Sequence, residues 1–430
     1  MMKKIVCFLF FVSSPTFAAT WTWEAISERA KAENMALKTA REQLTSTEFS
    51  QKAALKGFLP TLRGNVSAMR TGSERPSAIV TNGQIVNSTQ SVLNDTVVTS
   101  LNFSQNIFAG FKDWYRYDQA QWQTRNKYWS LVKTKNEVSY SLKEAFANLL
   151  FAQEYAELTR EIISRRESNY QIVKVRFESG RENKGSVLLA EAYLDQAKLD
   201  AMIAQDNLSV ARKQLFSLIN KDAFEEYKVE GEPPLLTMNI SDEELKNLAM
   251  NTPDYLQAFT LEKSSEQEVK ALRSAFIPTL DFTASLSRNS QFFFPDEDNQ
   301  RWTLGLNLSI PLFDGLSDYS NLKGAVASKY AAEATKRNTY LTLIPSIRQA
   351  QNQARQSDVK LKVDGRFRDA SQTRAEIARA KYNNGLLTFE DWDIIESELI
   401  NRQISYLQSK RDRIIKYAAF EKSIGKGSIE

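Results

Sequence analysis

The chain has no histidine and a single cysteine in 430 residues. Without imidazole, Ser-His-Asp triads and His-ligated zinc or iron are excluded. The one thiol, Cys7, lies in an apolar N-terminal run that reads as removable, so the mature chain is expected to carry none. Disulfides, thiolate catalysis and Cys-ligated metals then fall away too. Glycine and proline are scarce, at 15 and 10, which is low for a chain built of many strands and loops. That scarcity points to long uninterrupted helices. No glycine-rich phosphate loop is present, so acidic pairs rise no further than helix-surface charge. No enzyme, cofactor or metal is expected. Lysine and arginine are not clustered as a nucleic-acid footprint requires, so no nucleic-acid partner is expected either.

What the N-terminus does contain is Lys3 and Lys4, then Ile5 to Val12, then Ser13-Ser14-Pro15-Thr16-Phe17-Ala18. This order of charge, apolar run and small residues reads as a signal peptide over residues 1–18, cleaved before Ala19. Its loss lowers the formal charge from +4 to +2. No later stretch approaches the ~20 apolar residues of a spanning helix. If this secreted chain inhabits a membrane, it does so as a closed β-barrel, because only helices and closed barrels satisfy every backbone group in lipid.

The chain also repeats itself. Ala54-Leu55-Lys56-Gly57-Phe58-Leu59-Pro60-Thr61-Leu62 returns as Ala271-Leu272-Arg273-Ser274-Ala275-Phe276-Ile277-Pro278-Thr279-Leu280. Leu101-Asn102-Phe103-Ser104 with Phe108-Ala109-Gly110 returns as Leu306-Asn307-Leu308-Ser309 with Phe313-Asp314-Gly315. Phe177-Glu178-Ser179-Gly180 returns as Tyr382-Asn383-Asn384-Gly385. Three landmarks in one order make chance similarity a poor explanation.

Within each repeat the period switches. Residues 22–57 read as one helix ended by Pro60. Leu280, Phe282, Ala284 and Leu286 alternate with Asp281, Thr283, Ser285 and Ser287, and Leu304, Leu306, Leu308 and Ile310 alternate with Gly305, Asn307 and Ser309. Val97, Thr99, Leu101 and Phe103 do the same in the first repeat, so each repeat supplies one amphipathic hairpin. Flanking aromatics Phe58, Phe108, Phe111, Trp114, Phe276, Trp302 and Phe313 suit the rims of a barrel with lipid outside and water inside. The first hairpin should be the longer, with its tip at Asn82-Gly83, a type I′ turn signal. The remaining segments read as helices. At ~1.5 Å per residue the span 112–178 reaches roughly 100 Å, beyond any globular core. Val187, Ala190, Leu194, Ala197, Ala201, Ala204, Leu208, Ala211 and Leu215 step by three and four, as a coiled-coil seam does. Leu188, Leu189, Ala192 and Leu199 widen that stripe enough to touch neighbours on two sides, which suits a ring of helices. Pro345 inside the long span 317–383 should kink it locally, where its repeat counterpart is Tyr140.

Together the Phe-Leu-Pro and Phe-Ile-Pro entries, the Gly110 and Gly315 exits and the Gly180 and Gly385 tips resemble the TolC-like outer-membrane efflux protein family. The resemblance covers about residues 20–424. It implies a mixed α and β membrane protein: a homotrimer with a twelve-stranded β-barrel, four strands per chain, continuous with a long periplasmic α-helical barrel. It divides the chain into repeat 1 at 19–221 (hairpin about 61–107, long helices about 112–178 and 186–221) and a linker at 222–240. Repeat 2 follows at 241–424 (hairpin about 279–311, long helices about 317–383 and 388–424), then a tail at 425–430. The implied role is a passive outer-membrane exit duct for efflux or type I secretion, set in outer-membrane lipid, with a periplasmic adaptor and an inner-membrane pump as partners. The tips at Gly180, Arg181, Gly385 and Leu386 are then the adaptor-contacting turns, and Asp391, Asp393, Glu390 and Glu182 the pore-constricting acids. Two positions depart from the family pattern: Leu387 stands where a basic residue is expected, and Ile394 where an acid is. The other reading is a soluble periplasmic coiled-coil scaffold whose hairpins merely cap helix bundles.

Overall fold

The computed structural model describes residues 20–81, 84–221, 227–236, 240–290, 300–427 and 429. The expected signal peptide and the Asn82-Gly83 tip lie outside the described residues. In chain order the elements are β1 (Thr20–Trp21), α1 (Trp23–Glu33), α2 (Met35–Ala53), β2 (Thr61–Thr81), β3 (Gln84–Phe108), α3 (Lys112–Glu178) and α4 (Lys184–Leu218). They continue as β4 (Lys228–Val229), α5 (Asp242–Met250), α6 (Pro253–Arg273), β5 (Thr279–Ser290), β6 (Gln300–Ser309), α7 (Ser317–Asn383) and α8 (Phe389–Ser423). The chain forms two compact units, one from residues up to Glu42, Ser130–Tyr255 and Tyr340 onward, the other from Gln43–Trp129 and Leu256–Thr339. Each unit draws on both repeats.

The helix expected over 22–57 is instead broken at Asn34, whose backbone is extended (φ −63, ψ 125). Its side chain explains the break. Asn34 Oδ1 accepts the Leu37 amide at 3.1 Å and its Nδ2 donates to the Leu218 carbonyl at 2.8 Å, capping α2 while tying it to the end of α4. A short side chain that bonds neighbouring backbone is the usual helix interrupter. Helix α7, by contrast, runs unbroken through Pro345.

In the first unit, the alanine seam of α4 meets α3. Ala204, Leu208, Ala211 and Leu215 share a buried cluster with Leu142, Phe146, Leu149, Ala152 and Ala156, joined by Trp23 and Ile26 of α1. Alanine lets the helix axes approach closely while leucine fills the gaps between them. A second cluster sets Ile240 and Leu245 against Ile347 and Ala354 of α7 and Tyr417 and Phe420 of α8. A parallel pairing of β1 with β4, carrying no sequence signal of its own, ties residue 20 to residue 228.

Between these clusters lies a buried ion pair. Lys143 Nζ reaches the two Glu421 carboxylate oxygens at 2.9 and 2.7 Å and the Pro234 carbonyl at 2.7 Å. The Leu236 amide donates to the same carboxylate at 3.1 Å. One contact thus joins a helix of each repeat to the segment between the repeats.

In the second unit, β2, β3, β5 and β6 form one antiparallel sheet in that order. Leu62, Phe103, Ala284 and Leu304 make one cross-strand row, and Gly64, Leu101, Leu286 and Trp302 the next row on the same face. The other face carries Arg63, Asn102, Ser285 and Thr303, then Asn65, Ser100, Ser287 and Arg301. The apolar face is open, with Leu62, Trp302, Leu304, Leu306 and Leu308 all at least 60% exposed. Beyond the last β5 partner at Val97, β2 and β3 continue to pair with each other up to Thr81 and Gln84. At the strand-to-helix turns, Gly110-Phe111 and Gly315-Leu316 both adopt left-handed φ, near 59 and 64 and near 72 and 69. A Cβ on Gly110 would meet the Ile277 Cβ at 2.8 Å, so this turn excludes any larger residue.

The buried pair gives a stability prediction. Side chains 1% and 8% exposed cannot recover hydration when one partner is lost. Lys143→Met should therefore cost about 3–5 kcal/mol, while Lys143→Met with Glu421→Leu should regain most of it. Thermal melting of the helical circular dichroism in detergent reads both; equal loss in single and double variants would assign the cost to packing alone.

Candidate functional site

Helices α3 and α7 each end in a glycine turn. Gly180 and Gly385 take φ of 74 and 75. In each, the glycine amide and the one after it bond back to the helix end: Gly180 to Phe177 and Arg181 to Arg176, Gly385 to Tyr382 and Leu386 to Lys381. This pattern satisfies the last carbonyls of a helix and needs the left-handed residue. The following helices start on side-chain caps, Asn183 accepting the Ser186 amide at 2.9 Å and Thr388 accepting the Asp391 amide at 3.2 Å.

The two turns are held side by side. Arg176 Nη1 donates to the Tyr382 carbonyl at 2.6 Å while its guanidinium sits 4.6 Å above the Tyr382 ring. The Tyr382 hydroxyl donates to Glu182 Oε2 at 2.9 Å. Trp392 stacks on Tyr382 at 4.4 Å, and Phe389, Val173, Ala190 and Ala378 complete a buried apolar plug. Leu387 packs against this plug. Leu387, where a basic residue was the expectation, is part of a hydrophobic contact, and Arg176 of the opposite turn supplies a cation between the turns.

Below the plug lies a ladder of charged contacts. Arg166 Nη1 donates to Asp393 Oδ1 at 2.6 Å and its Nη2 to Ser397 Oγ at 3.0 Å, with the guanidinium 4.7 Å from the Tyr193 ring. Arg379 donates to Asn169 at 2.8 Å and Arg165 to Gln403 at 2.7 Å. Burial lowers the pKa of Arg165 and raises that of the Tyr193 hydroxyl, to which the Asp393 charge adds.

Of the four acids expected at a constriction, two are exposed, one is half-buried and one is buried. Asp391 is exposed and shares a hydrogen bond with its own cap, Thr388, at 2.8 Å. Glu390 is exposed and Glu182 half-buried. Asp393, expected with them, lies 8% exposed between helices with Arg166 as counter-ion. Arg181 and Leu386 are exposed at the turns, and Ile394 is 64% exposed. Sequence reasoning missed Arg166, Arg176 and Tyr382, because each acts across a distance of about two hundred residues and no local spacing marks it. Among the described residues no group of His, Cys, Asp or Glu could hold a metal ion.

The Tyr382 hydroxyl titrates far above its ordinary 10.0, first because it is buried and then because it donates to Glu182. A raised folded pKa means that its stabilisation is fully present below about pH 10 and is lost as pH rises through the folded value. Alkaline unfolding of the wild type should thus steepen above pH 10 relative to Tyr382→Phe, measured by circular dichroism. Parallel curves would remove Tyr382 as the link between the turns.

The profile of the Outer membrane efflux protein family matches the chain twice, over residues 26–221 and 245–426, one match in each repeat. The chain is 23% identical to outer membrane protein OprJ of Pseudomonas aeruginosa over 61% of its own length and 53% of OprJ, so the match spans about half of that relative. It is 20% identical to outer membrane protein TolC of Vibrio cholerae over 77% of each chain. The crystal structure of the Vibrio cholerae outer membrane protein VceC superposes with a TM-score of 0.78 at 18% identity, covering 95% of this chain and 96% of VceC. A fold shared over nearly the whole length, and a family profile matched in both repeats, place the chain in the outer membrane efflux protein family.

Proposed function

We propose that the chain is an outer-membrane exit duct, a passive conduit for efflux or type I secretion assembled from three copies. The observation that carries this reading is the sheet: four strands, one open apolar face, one polar face, and outer edges on β2 and β6 that pair with no strand among the described residues. Three such sheets joined edge to edge close a twelve-stranded barrel, which leaves lipid against Leu62, Leu101, Leu286 and Trp302 and water against Arg63, Ser100, Ser285 and Asn307. Among the described residues no helix is long and apolar enough to cross a membrane. The apolar sheet face disfavours the soluble-scaffold alternative, since exposed contiguous apolar surface of this kind marks contact with lipid or a partner.

In this assembly the paired turns at Gly180 and Gly385 face a periplasmic adaptor, with Arg181 and Leu386 as contact residues, and the adaptor connects the duct to an inner-membrane pump. Asp391, Glu390 and Glu182 form the constricting carboxylates, each occurring three times around the axis. At ~6 Å, like charges repel by about 2.8 kcal/mol at an effective dielectric of 20, enough to favour cations at the ring. Asp393 contributes little to that ring because Arg166 already balances it.

Two measurements test the proposal. The protein should stay with the outer membrane through alkaline wash and form conducting pores in planar bilayers. Asp391→Asn with Glu390→Gln should reduce cation preference, read as a reversal potential under a salt gradient, while Asp393→Asn should change it far less. Release by alkaline wash would favour the scaffold, and an unchanged reversal potential would move the filter away from these acids.

A further inference from the structure

The polar face of the sheet carries an unbalanced charge. On the strand segments that pair across the sheet, the charged residues of this face are Arg63 on β2, Asp281 on β5 and Arg301 on β6. Arg70 and Arg288 lie on the apolar side, where Arg70 is matched by Asp95 at 2.6 Å. Arg63 and Arg301 are exposed, and among the described residues neither has an ion-pair partner. Their rows are adjacent, Arg63 in register with Asn102 and Ser285, Arg301 with Ser287 and Ser100. Two residues along a strand is ~6.8 Å. The surroundings are serine, threonine and asparagine, which donate and accept but carry no charge. Asp281 is four residues from Ser285, ~13 Å toward the helix-bearing end.

Closure amplifies this arrangement. Arg63 lies on one edge strand and Arg301 on the other, so a barrel of three copies brings six such arginines to one lumen. Twelve strands ~4.8 Å apart and tilted ~40° make a barrel roughly 24 Å across at the backbone. Side chains reaching inward narrow this to on the order of 10 Å, about one Debye length at physiological ionic strength, so the fields of six guanidinium groups overlap at the axis.

We propose that the barrel lumen is a binding site for multivalent phosphate-bearing anions, held by Arg63 and Arg301. The proposal rests on the exit-duct reading. Guanidinium groups bind phosphate through two parallel N–H donors, and several groups around one axis suit a ligand with several phosphates. The duct then carries opposite preferences, with acids at the helix turns and arginines in the barrel.

The test uses the assembled full chain in planar bilayers, with inositol hexakisphosphate added on the barrel side. Wild-type current should be blocked, and the block should vanish near 1 M salt, where the Debye length falls to ~3 Å. Arg63→Gln with Arg301→Gln should raise the half-blocking concentration at least tenfold, and Arg301→Gln alone several-fold. Asp281→Asn should lower it. Pores that conduct but show no block, or a double variant blocked at the wild-type concentration, would overturn the lumen site alone. Assembled protein that inserts without conducting would overturn the duct reading and this inference with it.

Discussion

The outer edges of β2 and β6 present backbone amides and carbonyls with no strand partner among the described residues, beside a face of leucine and tryptophan. In lipid each such group costs several kcal/mol if left unpaired, so an isolated sheet of this composition is untenable there. Closure with other copies removes the cost and buries nothing polar. Much else follows from that constraint. The apolar rows must alternate with the polar ones across all four strands, as the rows of Leu62 and Gly64 alternate with those of Arg63 and Asn65. The hairpins must also start at equivalent places, and the Phe-x-Pro entries at Pro60 and Pro278 set both starts. Each must end on a tight turn into a helix, which Gly110-Phe111 and Gly315-Leu316 supply with two left-handed residues apiece.

The helical unit meets a different constraint. Helices as long as α3 and α7 cannot be held by propensity; they depend on continuous packing along their length. Alanine at Ala145, Ala152, Ala156, Ala204 and Ala211 permits that approach between α3 and α4. Polar contacts then fix which helices meet. Lys143 with Glu421 joins the repeats near the intervening segment, and Arg166 with Asp393 joins them again near the turns. Buried pairs of this kind stabilise weakly in net terms, and their value here lies in fixing the partners of otherwise similar alanine-lined faces.

The architecture was legible in the sequence because it is periodic. Alternation at Leu280 to Leu286, the three-four steps of Val187 to Leu215 and the repeated glycines each follow from local backbone geometry, which sequence spacing records directly. What was illegible is pairwise and distant. Asn34 reads as one more residue in a helical pattern until the Leu218 carbonyl is found beside it. Asp393 reads as a free acid near a helix start until Arg166, 227 positions away, is seen to hold it. Leu387 reads as a departure from a motif, and its reason is the aromatic plug of Tyr382 and Trp392 that it covers. Arg63 and Arg301 have no sequence signal that links them, and only the strand register shows them in neighbouring rows.

Closure of the barrel depends on the sheet edges of different copies meeting. Within one chain β2 and β6 are separated by two strands, ~14 Å, which no disulfide can span. Cysteine at Val66 on β2 combined in turn with cysteine at Trp302, Leu304 or Leu306 on β6 therefore forms a bond only between copies. Oxidation in outer membranes, followed by a non-reducing gel, should give a covalent ladder ending at three chains for the pairing that matches the register. Monomer at every pairing would contradict edge-to-edge closure.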